Sequence, residues 1–349
     1  MLGVSDSYLR RLVREDDKGI YPRGVLKGNR RSFSLAEINC FRHLMKRLPW
    51  RDSRTDKCFR VVCSNFKGGT GKTTVSTNLS THFALQGYRV LHIDLDPQGS
   101  STALLYPDNR IDVHQDDTIY ASLMENPTRL ANVILPTAWE NLALVPAALG
   151  LYAAELELPR LEKSQPGFHF WSRLDKALAT VEQDFDIIVL DTPPALSHLT
   201  LNAVWAAHGI LVPVLASMMD LQAMASFFEG MAESFQMLES VSGQEKRFDF
   251  LRIVISNYQG NPRRHVDEHI TAGRMRKVYA EYVLDEVVIH SPAIQRAASK
   301  IRILYELDPL GYDRTYQKAV ESIAGMGAEI INLIQSTWPS KQLQKEISA

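Results

Sequence analysis

The residues best suited to chemistry lie in a glycine-rich stretch between an apolar run and a helical pattern. It reads Lys67-Gly68-Gly69-Thr70-Gly71-Lys72-Thr73-Thr74. Such a turn leaves backbone N–H groups pointing into one concavity at a helix N-terminus, where they and the helix dipole favour a polyphosphate. Lys72 would neutralise the β- and γ-phosphates, and the Thr73 hydroxyl would bind Mg²⁺. The stretch predicts a P-loop for ATP and Mg²⁺, and a glycine-rich turn without a ligand is the alternative.

The loop departs from the usual pattern at two positions. The spacing G-x-x-x-x-G-K-[ST] requires Gly at position 66, where this chain has Phe66, and an extra lysine, Lys67, follows. A cation that early in the loop is poorly placed for its own nucleotide, which Lys72 already serves. The KGGTGKTT form resembles the deviant Walker motif of the ParA/MinD/iron-protein class. That resemblance implies a homodimer in which Lys67 acts catalytically by reaching the nucleotide of the partner subunit.

A first acidic motif, Asp94-Leu95-Asp96-Pro97-Gln98-Gly99, follows a second apolar run. Strand alternation places Asp94 and Asp96 on one side of the chain. A carboxylate there can orient the attacking water or hold a metal-bound water. A strand-end Asp that caps the following turn is the alternative. DLDPQGSST resembles the switch segment of the same family, which implies the hydrolytic role for Asp96.

A second acid, Asp191, ends the apolar run that begins at Phe185 and is followed by Thr-Pro-Pro. An acid at that place fits the Walker B position, which holds Mg²⁺ through water. DTPP also resembles the family's version of this motif, and a plain turn Asp is the alternative. Asn257 follows a later predicted strand. By resemblance it would contact adenine, and an ordinary turn Asn fits the sequence equally well.

The elements that must position these residues are short runs rich in β-branched residues, separated by helical patterns. The predicted strands are Phe59 to Ser64, Arg89 to Ile93, Phe185 to Leu190, Gly209 to Val214, Leu251 to Ile255 and Glu286 to Ile289. Their alternation with helices predicts an α/β fold: a mostly parallel, doubly wound sheet of the P-loop NTPase type, with helices on both faces. Ligands of such sheets bind at the carboxyl ends of the strands.

The first 50 residues predict a small DNA-binding segment. A helix opens at Ser5, a basic turn follows, and a second helix begins near Ser34. This layout is typical of a winged helix-turn-helix, and a solvated basic helix packed on the ATPase domain is the alternative. GVSDSYLRRLV and NRRSFSLAEI resemble the MerR-like segment of the larger ParA and RepA-type partition proteins. The predicted DNA contacts are Arg10 and Arg11 on the helix and Arg30 and Arg31 on the wing.

Local basic clusters also occur in the last third of the chain, although the net charge is only −1. On a dimer such clusters could form a sequence-independent phosphate-binding surface, and a solvated helix face is the alternative. SPAIQRAA, residues 291–298, resembles a late helix of the family. The candidates for this surface are Arg263, Arg264, Arg296 and Lys300.

Length and composition set the remaining limits. The 349 residues suffice for two domains. We assign residues 1–50 to the DNA-binding segment with a linker to 57, residues 58–335 to the ATPase domain and residues 336–349 to a polar tail. The three cysteines show no metal or disulfide spacing, and no apolar run approaches the roughly 18 residues needed to span a bilayer. These features predict a cytoplasmic protein without a membrane anchor.

Together the motifs and the resemblance imply a DNA-partition ATPase. It would dimerise on ATP, bind DNA without sequence preference, associate with the nucleoid and be released when a ParB-like centromere-binding protein stimulates hydrolysis. The N-terminal segment would add operator binding and autorepression. The alternatives are an ATP-switched transcriptional repressor, a MinD-like positioning ATPase and a P-loop amide-ligase-like enzyme.

Overall fold

The computed structural model describes residues 4–16, 18–28, 30–46, 51–106, 112–307 and 313–342. Its strands are β1 (Val25–Lys27), β2 (Arg30–Ser32), β3 (Phe59–Cys63), β4 (Val90–Asp94), β5 (Leu135–Pro136), β6 (Leu142–Val145), β7 (Ile187–Asp191), β8 (Gly209–Leu215) and β9 (Phe250–Ser256). Its α-helices are α1 (Asp6–Arg14), α2 (Leu35–Leu44), α3 (Lys72–Gln86), α4 (Ser100–Leu105), α5 (Tyr120–Met124), α6 (Tyr152–Ser164), α7 (Arg173–Ala179), α8 (His198–Ala206), α9 (Met218–Ser242), α10 (Val266–Tyr279), α11 (Pro292–Ser299) and α12 (Arg314–Thr337).

Within these residues, strands β3 to β9 form one seven-stranded sheet in the order β5-β6-β4-β7-β3-β8-β9. Every neighbouring pair is parallel except β5 and β6, which are antiparallel. Helices connect the parallel strands and cover both faces. The predicted α/β fold of the P-loop NTPase type is therefore confirmed.

One predicted strand is wrong. The segment from Glu286 to Ile289 contributes only an isolated bridge between Ile289 and Tyr258. It runs beside β9, where the Val288 amide donates to the Ile255 carbonyl at 2.9 Å. The Ile289 amide, however, donates to the Ser322 hydroxyl of α12 at 3.0 Å. The segment is thus hydrogen-bonded to both β9 and α12 without forming a continuous strand of the sheet.

Alternate residues of the central strands enter two cores on opposite faces of the sheet. Along β3, Val61 and Cys63 enter the core beneath α3 and α12, whereas Val62 enters the core on the other face. Leu79 and Phe83 of α3 are fully buried in the first core. Burial of side chains of this size contributes about 1.5–3 kcal/mol each. These cores fix the carboxyl ends of the strands relative to one another.

The C-terminal region is packed against the sheet domain further than we predicted. Trp338 is 1% exposed, and its indole N–H donates to the Lys57 carbonyl at 3.0 Å. The Ser340 amide donates to Asp56 at 3.0 Å. The assignment of a polar tail from residue 336 is wrong for residues 336–342, because an aromatic anchor follows the helix there. Residues 343–349 lie outside the described residues.

The N-terminal segment consists of helix α1, the β1–β2 hairpin at the position of the predicted basic turn, and helix α2. Ser34 and Glu37 form a reciprocal capping box at the start of α2. Phe41 of α2 is fully buried between Tyr21 and Phe33, which gives the segment a small aromatic core. These contacts explain why so short a segment is ordered.

Two arginines fasten this segment and the following residues to the sheet domain. Arg42 of α2 is 3% exposed and donates to the Leu85 carbonyl at the end of α3, at 2.7 Å. Arg51 is buried and donates to the carbonyls of Phe185 and Glu182 at 3.1 and 2.6 Å. The predicted linker is thus bound to the domain surface over residues 51–57, while its Pro49 lies outside the described residues.

Candidate nucleotide-binding site

The glycine-rich loop connects β3 to α3 at the carboxyl edge of the sheet. Gly69 and Gly71 have φ angles of 75° and 85°, in the left-handed region that favours glycine. Gly71 is the N-cap of α3, so the free N–H groups of the helix face the loop. The backbone has the form that a phosphate-binding loop requires.

Lys72 is the first residue of α3, and its side chain is folded back over the loop. Its ammonium donates to the Lys67 carbonyl at 3.0 Å, and the residue is 7% exposed. Burial lowers the pKa of Lys72, and the carboxylates of Asp191 and Asp96 oppose that shift. Both acids are thus close enough to act on this lysine, which agrees with their predicted place in one site.

The ends of β4 and β7 bring two acids side by side. Asp94 and Asp191 are register partners, and Cys63 of β3 is the partner of Asp191 on its other side. Both carboxyl groups are fully buried. Burial, and then the charge of Asp191, raises the pKa of Asp94 to about 8. Burial also raises the pKa of Asp191 to about 6, although Ser101, Thr73 and Lys72 oppose the shift. The pair is therefore an environment in which a bound cation would be strongly favoured.

The residues around Asp191 fit a magnesium ion of the P-loop kind. One Asp191 oxygen accepts from the Ser101 hydroxyl, and the Thr73 side chain is near enough to lower the pKa of this carboxyl group. The other oxygen, Oδ1, is buried and has no hydrogen-bond partner among the described residues. A metal-bound water would satisfy such an orphaned acceptor. Asp191 and Thr73, both predicted from the sequence, thus lie together.

The structure separates the roles of the two acids in the DLD motif. Asp94 accepts from the Thr102 amide and hydroxyl, both at 2.8 Å, and from the Asp96 amide at 3.1 Å. It therefore organises the turn. Asp96 is only partly buried, and its carboxylate accepts from the Gln98 amide at 3.0 Å. Asp96 keeps acceptor capacity for a water, as its predicted hydrolytic role requires.

A cavity of about 200 Å³ opens beside the loop and is suited to a nucleobase. Gly69, Gly71 and Thr74 line one side, and Asn257, which follows β9, lines another. Asn257 has a φ angle of 54°, an uncommon value for a residue other than glycine. Asn257 thus lies in the wall of a cavity beside the P-loop, and its contact with a nucleotide stays a prediction.

Helix α11 forms the far wall of this cavity, which the sequence reading missed. Ile294, Gln295 and Ala298 line it. The sequence pattern favours this helix only for its basic residues, Arg296 and Lys300. The apolar face of an amphipathic helix is equally compatible with packing on a core or with lining a ligand pocket, so no local signal distinguishes the two.

Lys67 contacts a carboxylate that the sequence reading also missed. Its ammonium lies 2.9 Å from Asp220 Oδ2, and the two side chains are 36% and 3% exposed. Asp220 is in the first turn of α9, just past the carboxyl end of β8. The sequence signal was Ser217-Met-Met-Asp220, the pattern of a helix start directly after a buried strand.

The predicted DNA contacts fall in separate places. Arg10 and Arg31 line one groove between α1 and the β1–β2 hairpin, together with Arg14 and Arg23. Arg11 instead lies over the Tyr8 ring, 5.4 Å from its centroid. The side chain of Arg30 lies outside the described residues. The N-terminal segment thus has a basic groove, and Arg11 is not among the residues that line it.

The candidates in the last third of the chain do not meet the groove residues. Arg263 and Arg264 are exposed in the turn after β9, and Lys300 is exposed at the end of α11. Arg296 forms an ion pair with Asp313 at 2.6 Å, with its side chain 52% exposed. This pair partly neutralises Arg296, so Arg263, Arg264 and Lys300 remain the better candidates for a phosphate surface.

The fold and this site define a P-loop nucleoside triphosphatase. A family described as AAA domain matches residues 60–241, half of the chain. A Rhizobium rhizogenes relative, provisionally named replication protein A, is 30% identical over 352 residues, 97% of this chain and 85% of the relative. SopA of Escherichia coli is 30% identical over 321 residues, 88% of this chain and 78% of SopA.

A solved structure called Partition Protein shares the fold, with a TM-score of 0.71 at 19% identity over 95% of this chain and 89% of that one. The chain therefore belongs to the ParA-type family of partition ATPases. No helix within the described residues is long and apolar enough to cross a membrane.

Proposed function

We propose that this protein is a DNA-partition ATPase that works as a nucleotide-controlled dimer. ATP·Mg²⁺ would bind at the P-loop, and two subunits would associate with both nucleotides at their interface. Lys67 of each subunit would complete the site of the other. The γ-phosphate would thus favour the dimer, and hydrolysis would favour the monomer.

The observation that carries this proposal is the arrangement around Lys72. One loop supplies two lysines, Lys67 and Lys72, and the adjacent strand ends supply Asp96 and Asp191. The Lys72 ammonium donates a hydrogen bond to the Lys67 carbonyl of its own loop at 3.0 Å, and so stays with that loop. A second lysine at the mouth of the same loop is explained if it serves a different nucleotide.

Within one subunit the residues divide the chemistry in a simple way. The backbone from Gly68 to Thr74 would hold the phosphates, and Asn257 would contact the base. Thr73 and Asp191 would hold Mg²⁺, which neutralises charge on the β- and γ-phosphates when bound. Asp96 would orient the attacking water and assist the metal shell.

The ATP-bound dimer would bind DNA through phosphate contacts, without sequence preference and with strong salt dependence. Arg263, Arg264 and Lys300 are exposed and support such a surface. A ParB-like centromere-binding protein would stimulate hydrolysis and release the dimer. The protein would consequently be found on the nucleoid in its ATP state.

The groove of the N-terminal segment supports a second, sequence-specific contact with DNA. It is lined by Arg10, Arg14, Arg23 and Arg31 from both the helix and the hairpin. We infer binding to an operator and repression of the protein's own promoter. In that case the protein would join partition and autorepression in one chain.

The decisive experiment measures DNA binding with ATP, with ADP and without nucleotide, on random DNA and on DNA from the upstream region. We expect ATP to increase binding to random DNA and the upstream fragment to bind more tightly than random DNA. If ATP changed binding to neither DNA, the proposal would be wrong.

A repressor that uses ATP only as a switch predicts a different result. Lys72→Ala would then abolish repression along with nucleotide binding. Loss of plasmid maintenance in Lys72→Ala with repression intact would instead favour partition. An amide ligase would show ATP turnover that depends on a small-molecule carboxylate and not on DNA.

A further inference from the structure

The ion pair between Lys67 and Asp220 has no role in the scheme above. Lys67 Nζ lies 2.9 Å from Asp220 Oδ2, within the same subunit. A lysine so held is not available to a nucleotide on a second subunit. Formation of the proposed dimer therefore requires that this pair break.

Asp220 is the buried member of the pair. It is 3% exposed, whereas the Lys67 side chain is 36% exposed. Its amide donates to the Ser217 hydroxyl at 3.1 Å, and that hydroxyl also contacts Asp220 Oδ2. Oδ1 is buried without a hydrogen-bond partner in the described part of the chain. Lys67 thus supplies the cation for an otherwise poorly satisfied carboxylate.

A second contact fixes the same end of the loop on the same helix. The Phe66 ring packs edge-on against Phe227 of α9, with centroids 4.6 Å apart. Gly230, about one turn further along α9, faces the same ring, and a Cβ there would make ordinary contact with it at 3.6 Å. Phe66, which replaces the usual glycine, and Lys67 are thus docked together on α9.

We propose that Asp220 is a positioning residue that retains Lys67 in its own subunit and so sets the threshold for dimerisation. This inference rests on the proposed function, specifically on the action of Lys67 in the partner's site. In the monomer Asp220 neutralises Lys67. In the dimer the triphosphate of the partner competes with Asp220 for the same ammonium group.

The free-energy cost of breaking the ion pair comes mainly from Asp220. When Lys67 leaves, a buried carboxylate remains without a cation, which is the costly half of breaking a buried ion pair. The N-terminus of α9 offsets part of this charge. A neutral side chain of the same shape removes the cost. Asp220→Asn is therefore expected to favour the dimer and not to weaken it.

The test is the dimer dissociation constant of the full chain with Mg²⁺ and a non-hydrolysable ATP analogue, measured by analytical ultracentrifugation. We expect Asp220→Asn to lower this constant about tenfold or more, because each dimer breaks two pairs. Affinity of the monomer for the nucleotide should change little. An equal or higher dissociation constant would overturn the inference.

A double-mutant cycle separates positioning from a merely structural role. In the Lys67→Ala background, Asp220→Asn should no longer promote association, because no lysine remains to be retained. Glu229→Gln is the matched control, since it removes one exposed carboxylate from the same helix. An equal gain in dimer formation in the Lys67→Ala background would contradict the inference.

Further results distinguish a variant that fails to fold, failure of the proposed function and failure of the proposed role of Asp220. If Asp220→Asn did not fold, Asp220→Ser, which also removes the charge and suits the first turn of a helix, carries the same expectation. If the wild-type chain stayed monomeric with the ATP analogue, the proposed function would fail. If the wild type dimerised and neither variant shifted its dissociation constant, only the role of Asp220 would fail.

Discussion

At the scale of single residues, the site depends on differences between chemically identical side chains. Lys72 is buried and tied to the loop, whereas Lys67 is partly exposed and paired with a carboxylate. Asp94 holds a turn through three hydrogen bonds, whereas Asp96 is held by one. Burial and hydrogen bonding, and not residue type, therefore distinguish the two members of each pair.

This difference gives a prediction for the two acids of the DLD motif. Asp96→Asn removes the carboxylate that would orient the water, so we expect kcat for ATP hydrolysis to fall about 100-fold or more. Affinity for ATP should stay within about threefold, because the P-loop supplies the phosphate contacts. Steady-state turnover and fluorescent-nucleotide titration provide the two measurements.

Asp94→Ala is the comparison variant and should act on stability instead. It leaves the Thr102 amide and hydroxyl and the Asp96 amide without their acceptor. We expect a loss of about 2–4 kcal/mol in the free energy of unfolding, measured by urea denaturation. If Asp96→Asn were the destabilising variant and kept full turnover, the assignment of roles would be reversed.

At the scale of elements, the P-loop is connected to other parts of the chain through two helices. Helix α3 begins at Lys72 and ends where Arg42 of α2 donates to the Leu85 carbonyl. Helix α9 holds Phe66 and Lys67 at the other end of the loop. The helix that starts in the nucleotide site therefore ends against the N-terminal segment.

The N-terminal groove gives a prediction at this scale. Arg10 and Arg31 come from different elements but line the same groove, so both are expected to contact phosphates of one DNA segment. Replacing both by Ala should weaken binding to upstream DNA and reduce the slope of log K against log salt by about 2. Fluorescence anisotropy at several salt concentrations measures both quantities.

Arg11→Ala provides the internal control for that experiment. Arg11 lies over Tyr8 and does not line the groove. Arg11→Ala removes one positive charge from the helix that also carries Arg10, yet should leave the salt slope nearly unchanged. ATP-dependent binding to random DNA should persist in both the double variant and Arg11→Ala. An equal effect of Arg11→Ala would show that only the net charge of α1 matters.

At the scale of the whole molecule, the sheet domain includes the segment that precedes β3 and the segment that follows α12. Trp338 and Ser340 contact residues 56 and 57, and Arg51 contacts the segment before β7. Helices α3 and α12 approach closely at Gly327, where a Cβ would lie 2.3 Å from the His82 ring. Buried polar groups such as this imidazole make the stability of the fold sensitive to pH.

Two buried histidines, His82 and His92, and the partly buried His208 carry a prediction for that dependence. Burial lowers the pKa of His82 to about 4 and those of His92 and His208 to about 3. Below pH 6.5 the unfolded chain therefore binds more protons at these positions, and each histidine destabilises the fold on acidification by about 1.4 kcal/mol per pH unit. Asp94 and Asp191 act in the opposite sense, because burial raises their pKa.

Substitution of His92 measures the contribution of this one histidine to the pH dependence of stability. His92→Asn should lose stability at pH 7, and its deficit relative to the wild type should shrink by about 2 kcal/mol at pH 5. Urea denaturation at the two pH values measures the deficit. His114→Asn, at an exposed position, should show no such change. A deficit of constant size for His92→Asn would mean that this histidine is charged in the native state.

The sequence by itself determined the parts of this protein that depend on local chemistry. Glycines at left-handed positions, Lys72 and Thr73 at a helix start, and Asp191 after a β-branched run are each specified within a few residues. The alternation of such runs with helical patterns also determined the α/β class. These features follow from backbone sterics and side-chain periodicity, which act over short stretches of chain.

Only the tertiary structure decided which distant groups meet. It placed β7 between β3 and β4, put α11 across the cavity beside the P-loop and paired Lys67 with Asp220, 153 positions along the chain. It also turned the predicted polar tail into a packed anchor at Trp338. Strand order and helix docking depend on how whole faces bury one another, and no local pattern contains that information.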